Sequence, residues 1–263
     1  METADYFKSL LRLQEGNASL WQAIIVHTDG SSPARCGMKM LIPLRDAPVG
    51  NLGGGEMEHH IINFVREKQP DQALNLSFNL GKLGADLVIS TQMICGGSAT
   101  VYIEPLHRSH EIFIIGAGHC GKELGRLAKA CGFWVHLVDN RQDILDTALE
   151  DTFDQTHFSD YRDLASDLSI SSDSWLVIMT HGHLHDKQVL QQCLKTPCRY
   201  LGMIGSKNKV AETFAALVEQ GHSPEALSRV HAPIGICIGS QSPIEIAISI
   251  MAEIIREYRL KPV

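Results

Sequence analysis

Residues 111–141 read EIFIIGAGHCGKELGRLAKACGFWVHLVDNR, and this stretch determines the class of the fold. The apolar run IFII leads into a glycine-rich turn, a helical segment follows, and a second apolar run ends at Asp139. Strand, tight turn, helix and strand are the repeating unit of a parallel sheet covered by helices on both faces. Apolar runs at 175–183 and 199–209 repeat the pattern. The sequence therefore predicts an α/β fold with a Rossmann-like domain over residues 109–263.

The turn of this stretch has the spacing GxGxxG, with glycines at Gly116, Gly118 and Gly121. In a dinucleotide-binding turn the first glycine permits the bend, the second admits a pyrophosphate and the third lets helix and sheet approach. Asp139 ends the next strand, where an acid can accept a hydrogen bond from a ribose hydroxyl. The pattern predicts a phosphate or nucleotide site, and the alternative is a tight turn that binds no nucleotide. The remaining candidates of this site are His119 and Arg141, and Arg141 leaves the choice between NAD and NADP open.

The first 108 residues have a different pattern, which predicts a mixed α+β domain with its boundary near residues 106–110. Helical periodicity covers residues 5–14, and a second helix is expected over 56–68. Strands are expected at 20–27, 39–44, 73–80 and 99–106.

Composition and charge exclude several classes of protein. The chain has 263 residues, 44% of them hydrophobic and 20% charged, which is a globular and not a disordered balance. Its net charge of −7 disfavours a nucleic-acid binder. No apolar run approaches the roughly 20 residues of a membrane span, and the first residues lack the pattern of a signal peptide. We therefore expect a cytoplasmic protein whose seven cysteines, without any CxxC spacing, are thiols.

Two glycine-rich loops in the first domain are candidate sites. A cysteine followed by two glycines is an unshielded thiol that could act as a nucleophile or a soft-metal ligand, the alternative being a buried thiol at a strand start. Three consecutive glycines before a helix could bind an oxyanion, the alternative being that the following acids only complement the helix dipole. The candidates here are Gly53, Gly54, Gly55, Glu58, Cys95, Gly96 and Gly97.

Polar residues also follow two later strands, at the edge of a parallel sheet where ligands bind. His181, His183 and His185 alternate, so an extended chain would place three imidazoles on one face, as a metal site requires. The alternatives are direct ligand contact and a helix N-cap at Asp186.

Ser206 and Lys207 begin another helix and suit a phosphate, unless they are a plain helix cap. The last helix begins at the capping box Ser242–Glu245 and carries apolar residues around most of its surface. That pattern predicts a buried helix or an oligomer interface, and it favours a homodimer.

Taken together, these segments resemble the XdhC/CoxI family, the accessory proteins of xanthine dehydrogenase and related molybdenum hydroxylases. The similarity extends over nearly the whole chain. It is carried by the turn GSSPARCGMKM, the Gly53–Gly55 cluster with Glu58, and the CGG segment before VYIEPL. In the second domain it is carried by IIGAGHCG, VDNR, THGHLHD, YLGMIGSKNK and HAPIGICIGSQSPIEIAISIMAEI.

The resemblance implies an accessory protein, and not an enzyme, that binds molybdenum cofactor and supports its sulfuration and insertion into a hydroxylase. It implies a separate cysteine desulfurase as a second partner. It also implies that Cys95 binds molybdenum or carries sulfur. One departure is that members often have cysteine directly after the glycine cluster, where this chain has Glu56. That departure puts specialisation for xanthine dehydrogenase itself in doubt.

Two competing hypotheses remain from the residues. The first is an NAD(P)-dependent oxidoreductase that uses the Rossmann domain, with His181 or His183 as catalytic acid or base. The second is a scaffold that only docks the hydroxylase and the desulfurase.

Overall fold

The computed structural model describes residues 3–15, 17, 19–30, 33–79, 88–90, 97–106, 109–148, 153–183 and 185–260. The chain divides into two compact units, 1–108 and 109–263. Within the described ranges, no helix is both long and apolar enough to cross a bilayer.

The first unit is built on a six-stranded sheet with the order β3-β2-β1-β6-β4-β5. Its neighbouring strands are antiparallel, except that β4 and β5 run parallel. The elements are α1 (Thr3–Glu15), β1 (Leu20–Gly30), β2 (Lys39–Pro43), β3 (Val49–Gly50), α2 (Glu56–Lys68), β4 (Leu74–Asn79), β5 (Val88–Ser90) and β6 (Gly97–Leu106).

The core of this unit follows from the alternation of β1. Trp21, Ala23 and Ile25 are all buried in the cluster that contains the apolar face of α2. That face repeats every four residues, at Met57, Ile61 and Val65. Leu20, which precedes Trp21 and faces the other side of β1, belongs to a second cluster with residues of α1. Each fully buried aliphatic side chain stabilises the fold by about 1.5–3 kcal/mol.

The second unit has a five-stranded, fully parallel sheet with the order β11-β10-β7-β8-β9. The strands are β7 (Glu111–Ile115), β8 (Trp134–Asp139), β9 (Gln155–Phe158), β10 (Trp175–Ile178) and β11 (Tyr200–Met203). The helices are α3 (His119–Ala130), α4 (Gln142–Ala148), α5 (Leu164–Asp167), α6 (Asp186–Cys193), α7 (Lys207–Glu219), α8 (Pro224–Ser228) and α9 (Pro243–Leu260).

Both faces of the parallel sheet are covered, as its nearly continuous apolar strands require. One core cluster joins the sheet to α3 and α9, and the other joins it to α6 and α7. The predicted α/β class with a Rossmann-like parallel sheet is confirmed. Sequence patterns did not reveal β9, a four-residue edge strand whose burial does not alternate.

The strand order places a topological switch at the centre of this sheet. From β7 the chain adds β8 and β9 on one side, and then crosses over to add β10 and β11 on the other. The loops after β7 and β10 therefore leave neighbouring strands in opposite directions. Ligands of open parallel sheets bind in the crevice that opens at such a point.

Candidate functional site

The glycine turn after β7 has two glycines that the fold itself requires. Gly116 has a φ of 124°, and a Cβ atom there would lie 2.1 Å from the Met179 carbonyl oxygen. A Cβ atom on Gly121 would lie 1.9 Å from the Gly116 carbonyl oxygen. Side chains cannot be accommodated at either place, because real atoms do not approach so closely.

Gly118 is different, since among the described residues, its chain neighbours and its own helix backbone aside, no atom lies within 4 Å of where its Cβ atom would be. Its φ of −68° suits any residue, so neither backbone strain nor packing explains a glycine here. Gly118 is the N-cap residue of α3, and no side chain caps the helix at this point. The first turn of α3 therefore has no side-chain cap, and uncapped helix N-termini can bind anions through their backbone amides.

Asp139, at the end of β8, is fully buried and does not offer a free carboxylate. Its Oδ2 atom accepts hydrogen bonds from the Ala117 amide and Arg141 Nη2, at 2.7 and 2.8 Å. Its Oδ1 atom accepts from the Arg141 amide and Nε, at 3.0 and 2.8 Å. A carboxylate has about four acceptor positions, and all four are occupied. Burial raises the pKa of Asp139, but the bonds from Arg141 and Ala117 outweigh burial and leave that pKa below its ordinary value.

Two further residues of the turn are His119 and Cys120. His119 is exposed at the start of α3, and Cys120 is half-buried. Burial raises the pKa of the Cys120 thiol, so this group is protonated at neutral pH. It is a neutral thiol and not a thiolate nucleophile.

The histidine segment after β10 forms a compact loop and not an extended strand. A 3₁₀ turn runs over His181–His183, with Gly182 at a φ of 60°. His181 is exposed, and the side chain of His183 lies outside the described residues. Among the described side chains, no group of three or more His, Cys, Asp or Glu residues could hold a metal ion.

Asp186 closes this loop. Its Oδ1 atom accepts hydrogen bonds from the Thr180 amide at 2.9 Å and from the Thr180 hydroxyl at 2.6 Å. The interpretation of Asp186 as the N-cap of α6 is wrong, because α6 begins at Asp186 and its N-cap residue is His185. The carboxylate is directed back across the loop because Thr180 offers it two donors.

Tyr161, which lies after β9, is a buried residue near this edge of the sheet that the sequence did not predict. Its ring is buried against the ring of His185, at 5.4 Å between centroids, and its hydroxyl group lies near the Asn140 backbone. Burial, and then the neighbouring Asp139 carboxylate, raise the pKa of Tyr161. Its distinguishing local feature is a left-handed backbone conformation, with a φ of 63°. The surrounding sequence SDYRD does not predict that conformation.

A cavity of about 250 Å³ lies beyond the carboxyl ends of β10 and β11. Its lining includes Gly182, Asp186, Met203, Lys209, Glu212 and Thr213. Ser206 stands beside it as the N-cap of α7, where its hydroxyl accepts a 3.4 Å hydrogen bond from the Lys209 amide. Lys207 is exposed at the first position of that helix. Ser206 is therefore a helix cap, while the cavity adds a charged pocket to the same edge of the sheet.

In the glycine cluster of the first unit, the backbone amides already bind a carboxylate of the protein itself, that of Glu58. Glu58 Oε1 accepts hydrogen bonds from the amides of Leu52 and Gly54, at 2.8 and 2.7 Å. The Asn51 side chain accepts a third, from the Gly53 amide at 2.6 Å. Of the glycine amides expected to bind an external oxyanion, that of Gly54 is thus held by Glu58 and that of Gly53 by Asn51. Gly55 stands next to this network as the N-cap of α2.

The thiol candidate of the first unit is only partly described. Cys95 and Gly96 lie outside the described residues, and Gly97 begins β6, where it pairs with Gly30 of β1. The role predicted for Cys95 stays a prediction.

Comparison with known proteins places both units in one family. Residues 112–254 match the model of the XdhC Rossmann domain, and residues 13–72 match the model of the XdhC and CoxI family. The uncharacterized protein YqeB of Escherichia coli K12 is 30% identical over 252 residues, which are 95% of this chain and 46% of that protein. A Bacillus subtilis 168 protein, named as a probable subunit of xanthine dehydrogenase, is 27% identical over 159 residues, which are 60% of this chain and 46% of that protein. The chain thus spans about half the length of the curated relatives that it matches.

A crystal structure described as a xanthine dehydrogenase from Bacillus halodurans has the same fold. Its TM-score is 0.53 at 21% sequence identity, and the match covers 97% of this chain and 96% of that one. At this identity the likeness supports the fold alone.

Proposed function

This chain belongs to the XdhC and CoxI family, and from that premise we propose that it is an accessory protein of a xanthine dehydrogenase-type molybdenum hydroxylase. In this proposal it binds molybdenum cofactor as cargo, supports its sulfuration, and delivers it to the hydroxylase. The name of the Bacillus subtilis relative supports the connection with xanthine dehydrogenase.

The observation that carries cofactor binding is the free space in front of Gly118. The described residues give a packing reason for glycine at Gly116 and Gly121, but none at Gly118. A glycine with ordinary backbone angles beside open helix amides is explained by a ligand that must approach the backbone there. The pterin part of molybdenum cofactor ends in a phosphate, which is the kind of group that helix N-termini bind.

The charges around the turn also suit a phosphate. The first turn of α3 contains no acidic residue. Asp139 is the carboxylate bonded to the turn, and its charge is balanced by two hydrogen bonds from the Arg141 guanidinium. A bound anion would therefore meet backbone donors and the helix dipole without facing an unbalanced negative charge.

The described residues fit the phosphate end of the cofactor better than its metal end. Bound molybdenum cofactor carries the metal centre that the hydroxylase uses for oxidation. Within the described ranges, the thiol nearest in sequence to the Gly118 space is Cys120, which burial keeps protonated. We therefore assign only the phosphate to the first turn of α3, and a sulfur-carrying role of Cys95 stays a separate proposal.

The test is anaerobic incubation of the purified chain with molybdenum cofactor, followed by gel filtration and assay of molybdenum and pterin. We expect wild type to retain both, and Gly118→Val to retain at least tenfold less. The matched control is Ser206→Ala, which alters another helix N-terminus and is expected to retain the cofactor. A wild-type protein that elutes without molybdenum and pterin would refute cofactor binding. Cys95→Ala tests the sulfur ligand in the same assay.

The accessory role has its own test in cells. Deleting the gene should leave the hydroxylase present but low in activity, and cyanide-labile sulfur in the enzyme should fall with it. Normal sulfur content and activity in the deletion strain would contradict the accessory role. Co-purification of a cysteine desulfurase with the tagged chain would support the second proposed partner.

The alternative of an NAD(P)-dependent oxidoreductase has less support. It rests on Asp139 as acceptor for a ribose hydroxyl, and all four acceptor positions of that carboxylate are occupied inside the protein. A calorimetric titration with NAD and NADP tests it, and we expect no binding tighter than millimolar.

A further inference from the structure

The cavity beyond the carboxyl ends of β10 and β11 is lined both by apolar residues and by residues of opposite charge. The apolar lining comes from Met203, Ile204 and Val210, and of these Met203 and Val210 are buried. The charged lining includes Lys209 and Glu212 of α7, both of which are exposed. The volume of about 250 Å³ lies just below the usual range of small-molecule sites, which begins at about 300 Å³. The cavity therefore suits one bicyclic ring better than a whole dinucleotide.

Two charged groups of this cavity are available to a ligand. Lys209 and Glu212 stand three residues apart on α7, a spacing at which opposite charges can pair. Within the part of the chain that the structure describes, the two side chains pair neither with each other nor with another charged group. Asp186 also lines the cavity, but its Oδ1 atom already accepts from the amide and the hydroxyl of Thr180. Lys209 can therefore donate hydrogen bonds to a ligand, and Glu212 can accept them.

The cavity adjoins the glycine turn to which we assign the phosphate. A Cβ atom on Gly116 would lie 2.1 Å from the Met179 carbonyl oxygen and 3.1 Å from the Cα atom of Thr180, so the turn touches the start of the loop that lines the cavity. In the sheet, β7 is the neighbour of β10, and β10 is the neighbour of β11. Neighbouring strands lie about 4.8 Å apart, so one to two strand spacings, or about 5–10 Å, separate the turn from the cavity. One small molecule with a phosphate at one end and a ring at the other can reach both.

The pterin ring of molybdenum cofactor carries the groups that this cavity can recognise. One edge of the ring presents two neighbouring N–H donors, the 2-amino group and N3, followed by the 4-oxo acceptor. A carboxylate can accept two parallel hydrogen bonds from such a pair of donors, as it does from a guanidinium group. Glu212 supplies that carboxylate, and the ammonium of Lys209 can donate to the 4-oxo group. Met203 and Val210 supply apolar contacts for the face of the ring.

We propose that this cavity is the pterin subsite, in which Glu212 accepts from the 2-amino and N3 groups and Lys209 donates to the 4-oxo group. The inference rests on the proposed function, because the pterin belongs to the cofactor that we assign to this chain. It adds recognition of the ring to a phosphate contact that any phosphate ester could make. The cavity should therefore discriminate against lumazine, the pteridine with a 2-oxo group in place of the 2-amino group. That oxygen would face the Glu212 carboxylate, and two acceptors repel each other.

The first measurement is a fluorescence titration of the full chain with pterin and with lumazine, neither of which carries a phosphate or a metal. We expect wild type to bind pterin about tenfold more tightly than lumazine, and Glu212→Gln to lose most of that preference. The matched control is Glu219→Gln, since Glu219 is an exposed acid of the same helix that does not line the cavity. We expect this control to keep the preference. Equal binding of the two pteridines to wild type overturns the proposal, as does a wild type that binds no pterin at millimolar concentration or a preference that Glu212→Gln leaves unchanged.

The second measurement separates this inference from the proposed function. Wild type, Glu212→Gln and Thr213→Trp are incubated anaerobically with molybdenum cofactor, gel-filtered and assayed for pterin. Thr213 is a half-buried residue of the lining, so a tryptophan there should fill the cavity. We expect both variants to retain about tenfold less pterin than wild type, and Glu219→Gln to retain as much. If wild type and both variants retain the cofactor equally, the subsite is wrong and the proposed function stands. If wild type retains no cofactor but still prefers pterin to lumazine, the proposed function fails and the subsite stands.

Discussion

The Asp139 carboxylate accepts a 2.7 Å hydrogen bond from the amide of Ala117, and this bond joins the end of β8 to the middle of the glycine turn. Arg141 holds the other side of the same carboxylate. The acid whose position could have suited a ribose hydroxyl thus joins two parts of the protein itself. It positions the turn, and the N-terminus of α3 is left as the part of the turn that is open to a ligand.

The three glycines of the turn should separate into two classes on substitution. Gly118→Ala is expected to leave the free energy of unfolding within about 0.5 kcal/mol of wild type, because its new methyl group enters open space. Gly121→Ala should cost about 3 kcal/mol, because its methyl group would meet the Gly116 carbonyl at 1.9 Å. Urea unfolding followed by circular dichroism measures both. Equal losses in the two variants would show that the space at Gly118 is not available.

Removing the charge of Asp139 should destabilise the second unit. In Asp139→Asn the amide group cannot accept all four hydrogen bonds, and Arg141 loses its charge partner. We expect a loss of about 2 kcal/mol, since Arg141 is partly solvated. Asp160→Asn is a matched control, because Asp160 and Arg162 have the same spacing but form an exposed pair. Urea unfolding should show no measurable change in that control.

The same carboxylate predicts a dependence of stability on acid pH. The folded pKa of Asp139 is lowered, so its contribution is present above the ordinary aspartate pKa, near 4. That contribution is lost as the pH falls through the folded value. Between about pH 5 and pH 2, wild type should lose more stability than Asp139→Asn. Parallel curves for the two proteins would contradict this account.

Glu58 should stabilise the glycine loop of the first unit as a hydrogen-bond acceptor. Glu58→Ala removes two bonds, to the amides of Leu52 and Gly54, and should cost about 2 kcal/mol. Glu58→Gln keeps an acceptor oxygen and should lose less than half of that. Urea unfolding again provides the measurement. If both variants lose the same free energy of unfolding, the negative charge of Glu58, and not its acceptor oxygen, stabilises the loop.

The half-buried His157, which lies beside the buried His136, should make the protein less stable as the pH falls below neutral. His136 Nδ1 and His157 Nε2 are 2.9 Å apart on neighbouring strands. Burial, and then the nearby His136, lower the pKa of His157. The unfolded chain therefore binds the proton more readily, and stability is lost as the pH falls below the ordinary histidine pKa near 6.5. His157→Gln should flatten the stability curve between about pH 7 and pH 5, whereas His59→Gln at an exposed position should not.

Several parts of the fold could be predicted because their signals are local. The strand, glycine turn and helix at 111–130 lie in consecutive residues, and the start of α2 at Glu56 follows directly from three glycines. The capping box at Ser242 is also local, and Glu245 accepts from the Ser242 amide as expected. The edge strand β9 could not be predicted, because its pairing with β8 and not its own residues makes it a strand.

The candidate site was less predictable than the fold. Residue type indicated that Asp139 and Glu58 could bind ligands, but each carboxylate accepts bonds from the protein itself. Glu253 was not singled out. It is buried within α9 and accepts from the Tyr200 hydroxyl at 2.7 Å and the Gly235 amide at 2.9 Å. These partners are between 18 and 53 residues away along the chain, so no local pattern contains them.

The sequence by itself determined the parallel sheet, the glycine turn and the family, because periodicity, glycine spacing and motif order are properties of consecutive residues. Only the tertiary structure decided which polar groups remain available to a ligand. Among the described residues no side chain caps the first turn of α3, whereas the carboxylate of Asp139 is saturated. The physical reason is that a buried polar group must find its partners, and distant parts of the chain supply them when the protein folds.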